Sequence, residues 1–478
     1  MLKPWRYVAA VVGAVLLIQV AWIAVMPPFR GVDEFDHAFR AVAVADGQWE
    51  AGGWATDGRG RLVTVPRALV TAAHAQCAAL PYTGHDNCYP AKSLPGGKVE
   101  VASSAAGYEP VFYWIVGTPA RPFSGAGSLY AMRVATALLS TFFIALGVWA
   151  LTTTRRRSAR WVGAVLPLAL TPVLLYSTTV VAPNGPEMGA ALALWCALVA
   201  WIHGRPDPRT ERGIVVVIAV SGIALAGLRE LGPEYLFLIV LVVAAVDPRA
   251  FRDVLVRRWR QLVAPVGAAV AVGLAGLLWR HHQAGIGPAL VPDVKVGMTA
   301  SNVIAWPLQV VAAFPFRDQS APAVVYVLSV GLFLALVVVA LRRAAGWQRI
   351  VLALFLVGSF ALPFVLTAAT YSSRGVIWQG RYGLPIFVGL PVVCALVAGR
   401  TGAAPSRWLL GVVAALLGIA NVAGPLRVLH DERHRAASTN DGAWHQPSAV
   451  LVAFVILAAF AMWGWAIAAR EGAGADAA

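Results

Sequence analysis

Apolar residues recur along the chain in long runs that carry almost no charge, broken by short polar stretches. Twelve such runs stand out, at 8–26, 129–151, 161–181, 187–202, 214–228, 235–246, 263–279, 323–341, 350–370, 384–398, 408–426 and 449–469. Each is predicted as a helix that crosses a bilayer, which takes about 20 apolar residues. Lys3 and Arg6 precede the first run, and no small-residue cleavage site separates it from Pro27 and Pro28. It is therefore read as a retained helix and not a removed leader. Two further apolar stretches, 110–119 and 303–315, contain proline and are too short to span. Both are expected at the outer interface, or dipping partway in against protein.

Composition narrows the class. Hydrophobic residues make up 59% of the 478 and charged residues only 13%, against about 25% charged in soluble domains. A cytosolic enzyme, a disordered scaffold, a disulfide-rich secreted module and a fibrous protein are all excluded. The net charge of +15 would point to nucleic acid in a soluble protein, but here the basic residues punctuate the apolar runs. Arg155, Arg156, Arg157 and Arg160, then Arg205, Arg209 and Arg212, then Arg249, Arg252, Arg257, Arg258 and Arg260 fall in alternate short loops. Arg342, Arg343 and Arg349, and finally Arg400 and Arg407, continue the series. Short basic loops mark the cytoplasmic side. The fold class is thus an all-α multi-pass membrane protein of the plasma membrane with both termini cytoplasmic and no nucleic-acid partner. It divides into a first span (1–26), an extracytoplasmic loop (27–128), a multi-span bundle (129–470) and a tail (471–478). Cys77 and Cys88 lie in the outer loop, where an oxidising compartment allows a disulfide. Cys196 and Cys394 lie within spans and read as small apolar fillers.

Acidic residues, histidines and amides gather at the outer ends of the helices, and the membrane centre holds little that ionises; Gln19 and Asn421 are its most notable polar side chains. After the first span, Pro27 and Pro28 stop the helix. A new helical pattern follows, with Phe35, Phe39 and Val42 as its apolar stripe and Gly47 at its end. It is read as an amphipathic helix on the outer membrane surface, with Asp33 and Glu34 at its N-terminus. Free N–H groups there keep carboxylates ionised, which suits a general base or a metal ligand. Two readings of Asp33 stand: a chemical group, or an N-cap with Asp36 completing a capping box. Asp33 and His37 have the i, i+4 spacing to chelate a divalent metal, although two ligands make a weak match and no cofactor motif is present.

A second outer cluster runs from Tyr371 to Tyr382 and holds Arg374, Gln379 and Arg381. Two arginines outside run against the basic-inside bias. Guanidinium groups at headgroup level suit a lipid-linked phosphate, or they anchor headgroups beside Trp378 and Tyr382. Glu109, Glu187, Arg229 with Glu230 and Glu234, and His281 with His282 are lesser outer candidates. The run Arg427–Arg435, with His430, Asp431, Glu432 and His434, reads as a solvated loop.

The first span, the acidic pair opening a helix in a long first outer loop, and the dozen spans resemble the GT-C glycosyltransferase superfamily. More narrowly, Asp33-Glu34 with His37, Glu109-Pro110 with Tyr113, and Gln379-Gly380-Arg381-Tyr382 resemble the bacterial integral-membrane family called domain of unknown function 2142. The resemblance covers most of the chain, and the Gln-Gly-Arg-Tyr run is its more specific part. It implies sugar transfer, with inversion, from a polyprenyl-phosphate carrier to an acceptor on the outer face. Asp33 would deprotonate the acceptor hydroxyl with Glu34 in support, His37 and Glu109 would stand beside them, and Arg374, Gln379, Arg381 and Tyr382 would receive the lipid phosphate. Glu109-Pro110 departs from the His-Pro or Pro-Pro expected at that place.

Three functions therefore compete. The first is a glycosyltransferase using a polyprenyl-phosphate sugar and an envelope glycan or lipid acceptor. The second is a lipid-linked glycan flippase, which the charge-poor midplane does not favour. The third is a non-enzymatic partner in envelope assembly.

Overall fold

The computed structural model describes residues 4–80, 83–153, 161, 165–204, 207–284, 300–315, 319–374, 378–400, 405–439 and 444–471. Among them, ten helices are long and apolar enough to cross a membrane. Helix α1 (Pro4–Val25) is the first. It buries Val11, Val15, Ile18, Trp22 and Val25, positions that recur on one side of a 3.6-residue turn. That side packs against the helices Ala126–Thr152 and Ala449–Glu471. Gln19 sits in the packed side without stranding a polar group. Its amide donates to Thr178 Oγ1 (2.9 Å) and the Ala137 carbonyl (3.3 Å), and accepts from Thr141 Oγ1 (2.8 Å).

Two of the twelve expected spans are shorter than a full crossing among the described residues. Gly232–Val246 is an apolar helix of 15 residues. Within 161–181 the chain bends at Leu170 and restarts as the short helix Pro172–Ser177. Pro172 explains the break: it cannot continue a preceding helix, but it fits the first turn of a new one, which Thr171 caps by accepting from the Leu174 N–H. The two stretches expected to be too short to span are both short helices, Pro110–Gly117 and Ala300–Val311. The first leaves Val111, Trp114 and Ile115 exposed on one side and buries Phe112, Tyr113 and Val116 on the other.

The first outer segment folds into a body with its own core. Helix α2 (Glu34–Ala45) is followed by strand β1 (Arg61–Pro66), helix α3 (Arg67–Ala78), the turn of helix α4 (His85–Cys88), and strands β2 (Lys92–Ser93) and β3 (Lys98–Ser103). The strands form an antiparallel sheet in the order β1-β3-β2, with Val63 opposite Val101 and Val65 opposite Val99. These four valines point into a core with Phe35, Phe39, Leu69 and Phe112. The Cys77–Cys88 disulfide ties α3 to α4.

One expectation is corrected. Helix α2 does not lie on an open surface: Glu34, Phe35, Asp36, His37, Phe39 and Arg40 are all buried. Its apolar stripe faces the sheet, and its polar side is covered as well, because Asp36 and Arg40 bond to the chain at 104 and 108. An amphipathic pattern reports that one side needs an apolar partner, and protein satisfies that need as well as lipid does.

Candidate functional site

The turn at 27–33, between α1 and α2, is built under strain. Phe29 and Asp33 both take positive φ, at 59° and 56°, a conformation that costs an L-residue about 1–2 kcal/mol. Strain of this kind persists only where the surroundings over-determine it. Here Arg133, from the helix Ala126–Thr152 (α6), donates to the carbonyls of Met26 and Pro27, each at 2.7 Å. The same guanidinium grips both carboxylate oxygens of Glu34, at 2.9 and 2.7 Å. Glu34 also accepts from the Gly31 and Val181 N–H groups. A Cβ on Gly31 would meet Val180 at 2.7 Å and the Glu34 carboxyl at 2.9 Å, so only glycine fits. On the other flank Arg30 donates to Glu432 at 3.0 Å.

This geometry settles the two readings of the acidic pair. Asp33 caps nothing: its side chain makes no bond to the helix N–H groups, and Asp36 closes no capping box because its oxygens accept from the N–H (2.7 Å) and hydroxyl (2.8 Å) of Ser104. Glu34, expected beside Asp33 as a reacting group, is placed differently from it. It is fully buried, and its oxygens are taken up by Arg133 and two N–H groups. Asp33 by contrast stays 32% exposed, and it meets Arg381 at 3.1 Å.

Arg381 arrives on the turn Gly380–Gly383, which opens a helical span. The glycine of the Gln-Gly-Arg-Tyr run is there for close approach: a Cβ on Gly380 would lie 2.4 Å from the Trp306 carbonyl and 2.5 Å from Gln309 Cβ. The Gly380 N–H donates to Gln309 Oε1 at 2.9 Å. Tyr382 presents its ring to two cations, Arg229 at 4.7 Å and Arg381 at 5.4 Å from the ring centre. Among the described residues, Arg229 and Arg381 are thus the two guanidinium groups that share this ring. Arg374 ends the helix Gly346–Arg374, and its side chain lies outside the described residues. Gln379 is buried, and its Oε1 has no partner among the described residues. Arg229 also lies 3.8 Å from Glu187, which is buried.

His37 completes the inner wall. Its Nδ1 is 2.8 Å from the Tyr113 hydroxyl. Burial pushes the imidazole down to about 3; Asp33 opposes that shift while Arg229 and Arg381 add to it. The ring is therefore neutral near pH 7. Burial also raises Tyr108 and Tyr113, and it pushes Asp36 up to about 7 against the bonds from Ser104. Glu109 stands at the N-terminus of Pro110–Gly117, 3.8 Å from Arg280, and is raised by burial. Among the described residues no three His, Cys, Asp or Glu side chains gather as a metal site, which leaves Asp33 and His37 as a pair.

Sequence reading brought Asp33, His37, Glu109, Arg381 and Tyr382 to this region but did not weigh Arg133. An arginine in the outer turn of an apolar span was its signal. Glu432 was read as solvated, yet it is buried and receives Arg30 and the Gln319 amide at 3.0 and 2.6 Å. Its position within a charged run hid it. His282 stays exposed beside Glu50, away from this cluster.

Two solved structures are similar to the chain at low identity. ArnT from Cupriavidus metallidurans bound to undecaprenyl phosphate matches at TM-score 0.47 and 16% identity, over 97% of this chain and 78% of that one. The apo state of that protein matches at TM-score 0.45 and 16% identity over the same shares. No curated protein matches. The family model described as "Predicted membrane protein (DUF2142)" matches residues 16–390, and the chain belongs to that family of multi-pass membrane proteins.

Proposed function

We propose that this protein is an inverting glycosyltransferase of GT-C type, which moves a sugar from a polyprenyl-phosphate carrier to a glycan or lipid acceptor outside the plasma membrane. The observation that carries the reading is the meeting of Asp33 and Arg381 at a half-open mouth, with Arg229 on the same Tyr382 ring.

In this reading Asp33 accepts the proton of the acceptor hydroxyl, whose oxygen attacks the anomeric carbon from the face opposite the carrier. The bond from that carbon to the phosphate oxygen breaks, and the polyprenyl phosphate leaves with the electron pair. Arg381 and Arg229 offset the charge that develops on the phosphate, and a planar guanidinium suits that task. His37, held neutral, adds no competing positive charge beside Asp33 and offers a hydrogen-bonding nitrogen. An apolar cavity of about 260 Å3 has Leu384, the residue after the Gly380–Gly383 turn, in its wall together with Pro307, Val310, Phe387 and Pro391. It gives the start of an isoprenoid chain an apolar place beside the phosphate. Basic short loops support an outward-facing mouth with both termini in the cytoplasm.

The test uses the full chain in lipid nanodiscs with polyprenyl-phosphate sugars as donors and envelope glycans as acceptors. Asp33→Asn is expected to abolish transfer while leaving donor binding within about twofold, as for a group that acts only in the transition state. Transfer at the wild-type rate would remove Asp33 from the chemistry. Passage of a labelled carrier across the bilayer with no new glycosidic bond would replace the reading with transport.

A further inference from the structure

We propose that Glu432, 402 residues away from Arg30 in sequence, is a positioning residue for Asp33. The inference rests on the reading that Asp33 works at this mouth, and it adds a distant residue to its machinery. Three observations converge on it.

First, Asp33 is held in a left-handed conformation, with no side-chain cap and no glycine to make that conformation easy. Something outside the turn must enforce it. Second, the turn is gripped from two directions. Arg133 and Glu34 fix its ends on the α6 side. Arg30, next to the strained Phe29 and three residues before Asp33, is held on the other side by Glu432. Third, Glu432 is built in as a hub. Its carboxylate is 1% exposed, and it receives Arg30 at 3.0 Å and Gln319 at 2.6 Å, with Arg435 at 3.5 Å. Gln319 is itself paired through its backbone with Phe314, whose ring packs on Trp22 at the top of α1. The hub thus joins the turn to the helix Arg407–Thr439 and to the bridge between Phe314 and Gln319.

The consequence is mechanical. Cutting the Glu432 link loosens one anchor of Arg30 in the middle of the turn, and Asp33 then relaxes to negative φ and swings its carboxylate off Arg381. Glu34 and Arg133 do not share that lever, so their pair survives.

The experiment compares cryo-EM structures of the full chain in nanodiscs for the wild type, Glu432→Gln, Glu432→Asp and Arg30→Gln. In Glu432→Gln the Asp33–Arg381 contact is expected to open and Asp33 to leave positive φ, with Glu34 still on Arg133. Glu432→Asp, which keeps the charge, is expected to restore the contact. A Glu432→Gln structure in which Asp33 keeps both its φ and its contact with Arg381 overturns the proposal. Should Glu432→Gln not fold, Arg30→Gln cuts the same link from the other end and is judged by the same two features. In transfer assays kcat is expected to fall about a hundredfold, as for a misplaced reacting group, with donor KM unchanged. A rise in donor KM with unchanged kcat speaks against positioning. If the wild type transfers no sugar, the proposed function fails alone, and the structures still decide the role of Glu432.

Discussion

Asp33 and Arg381 are separated by 348 residues and lie 3.1 Å apart. One closes the turn after the first span, and the other opens the turn before a late one. Both sit at the ends of helices, so the contact ties the first span to a late one.

Arg381 is held by geometry as well as charge, since it pairs with Asp33 and stacks beside Tyr382. Lysine keeps the charge but loses the planar fork. If the proposed function holds, Arg381→Lys is expected to weaken binding of a polyprenyl phosphate by about tenfold, equal to about 1.4 kcal/mol, and Arg381→Gln by more. Calorimetric or fluorescence titration in nanodiscs reads this, and wild-type affinity in Arg381→Gln would dissociate the residue from phosphate.

Glu34 and Arg133 predict stability and not chemistry. Both are essentially inaccessible, at 0% and 1%. Removing one partner of such a pair costs about 3–5 kcal/mol, because the other charge stays buried. Glu34→Gln should lower the apparent Tm by many degrees, and what remains folded should retain measurable transfer. A Tm shift of a degree or less would show that the pair is dispensable.

Asp36 and His37 give opposite slopes of stability with pH. Asp36 moves from 3.8 up to about 7 on folding, so the folded state holds its proton more tightly, and stability falls as pH rises across that window. His37 moves from 6.5 down to about 3, so its contribution is present above 6.5 and is lost as pH falls. Between about pH 4 and 6.5 the two offset each other. Asp36→Asn should therefore leave a protein whose stability climbs with pH, and His37→Gln one whose stability declines. Thermal unfolding of the variants from pH 4 to 7 checks both signs, and parallel profiles would refute the assignment.

Gly380 is predicted to tolerate no side chain. Its Cβ would enter space held by the Trp306 carbonyl and Gln309, and backbone cannot yield there as a flexible side chain can. Gly380→Ala should fold with a lowered Tm and a displaced Arg381, and so lose the polyprenyl-phosphate binding that the proposed function requires. Gly411, whose added Cβ would meet nothing within 4 Å, is the control, and equal effects at the two positions would undo the claim.

Much of this was legible in the chain. Runs of apolar residues mark the ten spans found among the described residues but overstate 161–181 and 235–246 as full crossings, and arginines set against the basic-inside pattern single out Arg381. The proline pair and the acids after it located the strained turn. Pairings over long sequence distances left no local trace: nothing near Glu34 names Arg133, and nothing near Arg30 names Glu432. The depth of α2 was hidden for a different reason. Periodicity around Phe35 and Phe39 orients a helix about its axis, but whether its polar side meets water or Ser104 and Tyr113 depends on segments far along the chain.

The amide of Gln19 has a consequence for the turn that begins eight residues later. Since Thr141, Thr178 and the Ala137 carbonyl occupy its hydrogen-bonding atoms, the first helix cannot spin or slip without abandoning a polar group in hydrocarbon. The amide works as an index pin. A residue inserted before position 19 leaves everything above it in phase, whereas one inserted between 19 and 26 rotates the origin of the turn by about 100° and carries Asp33 away from its arginine.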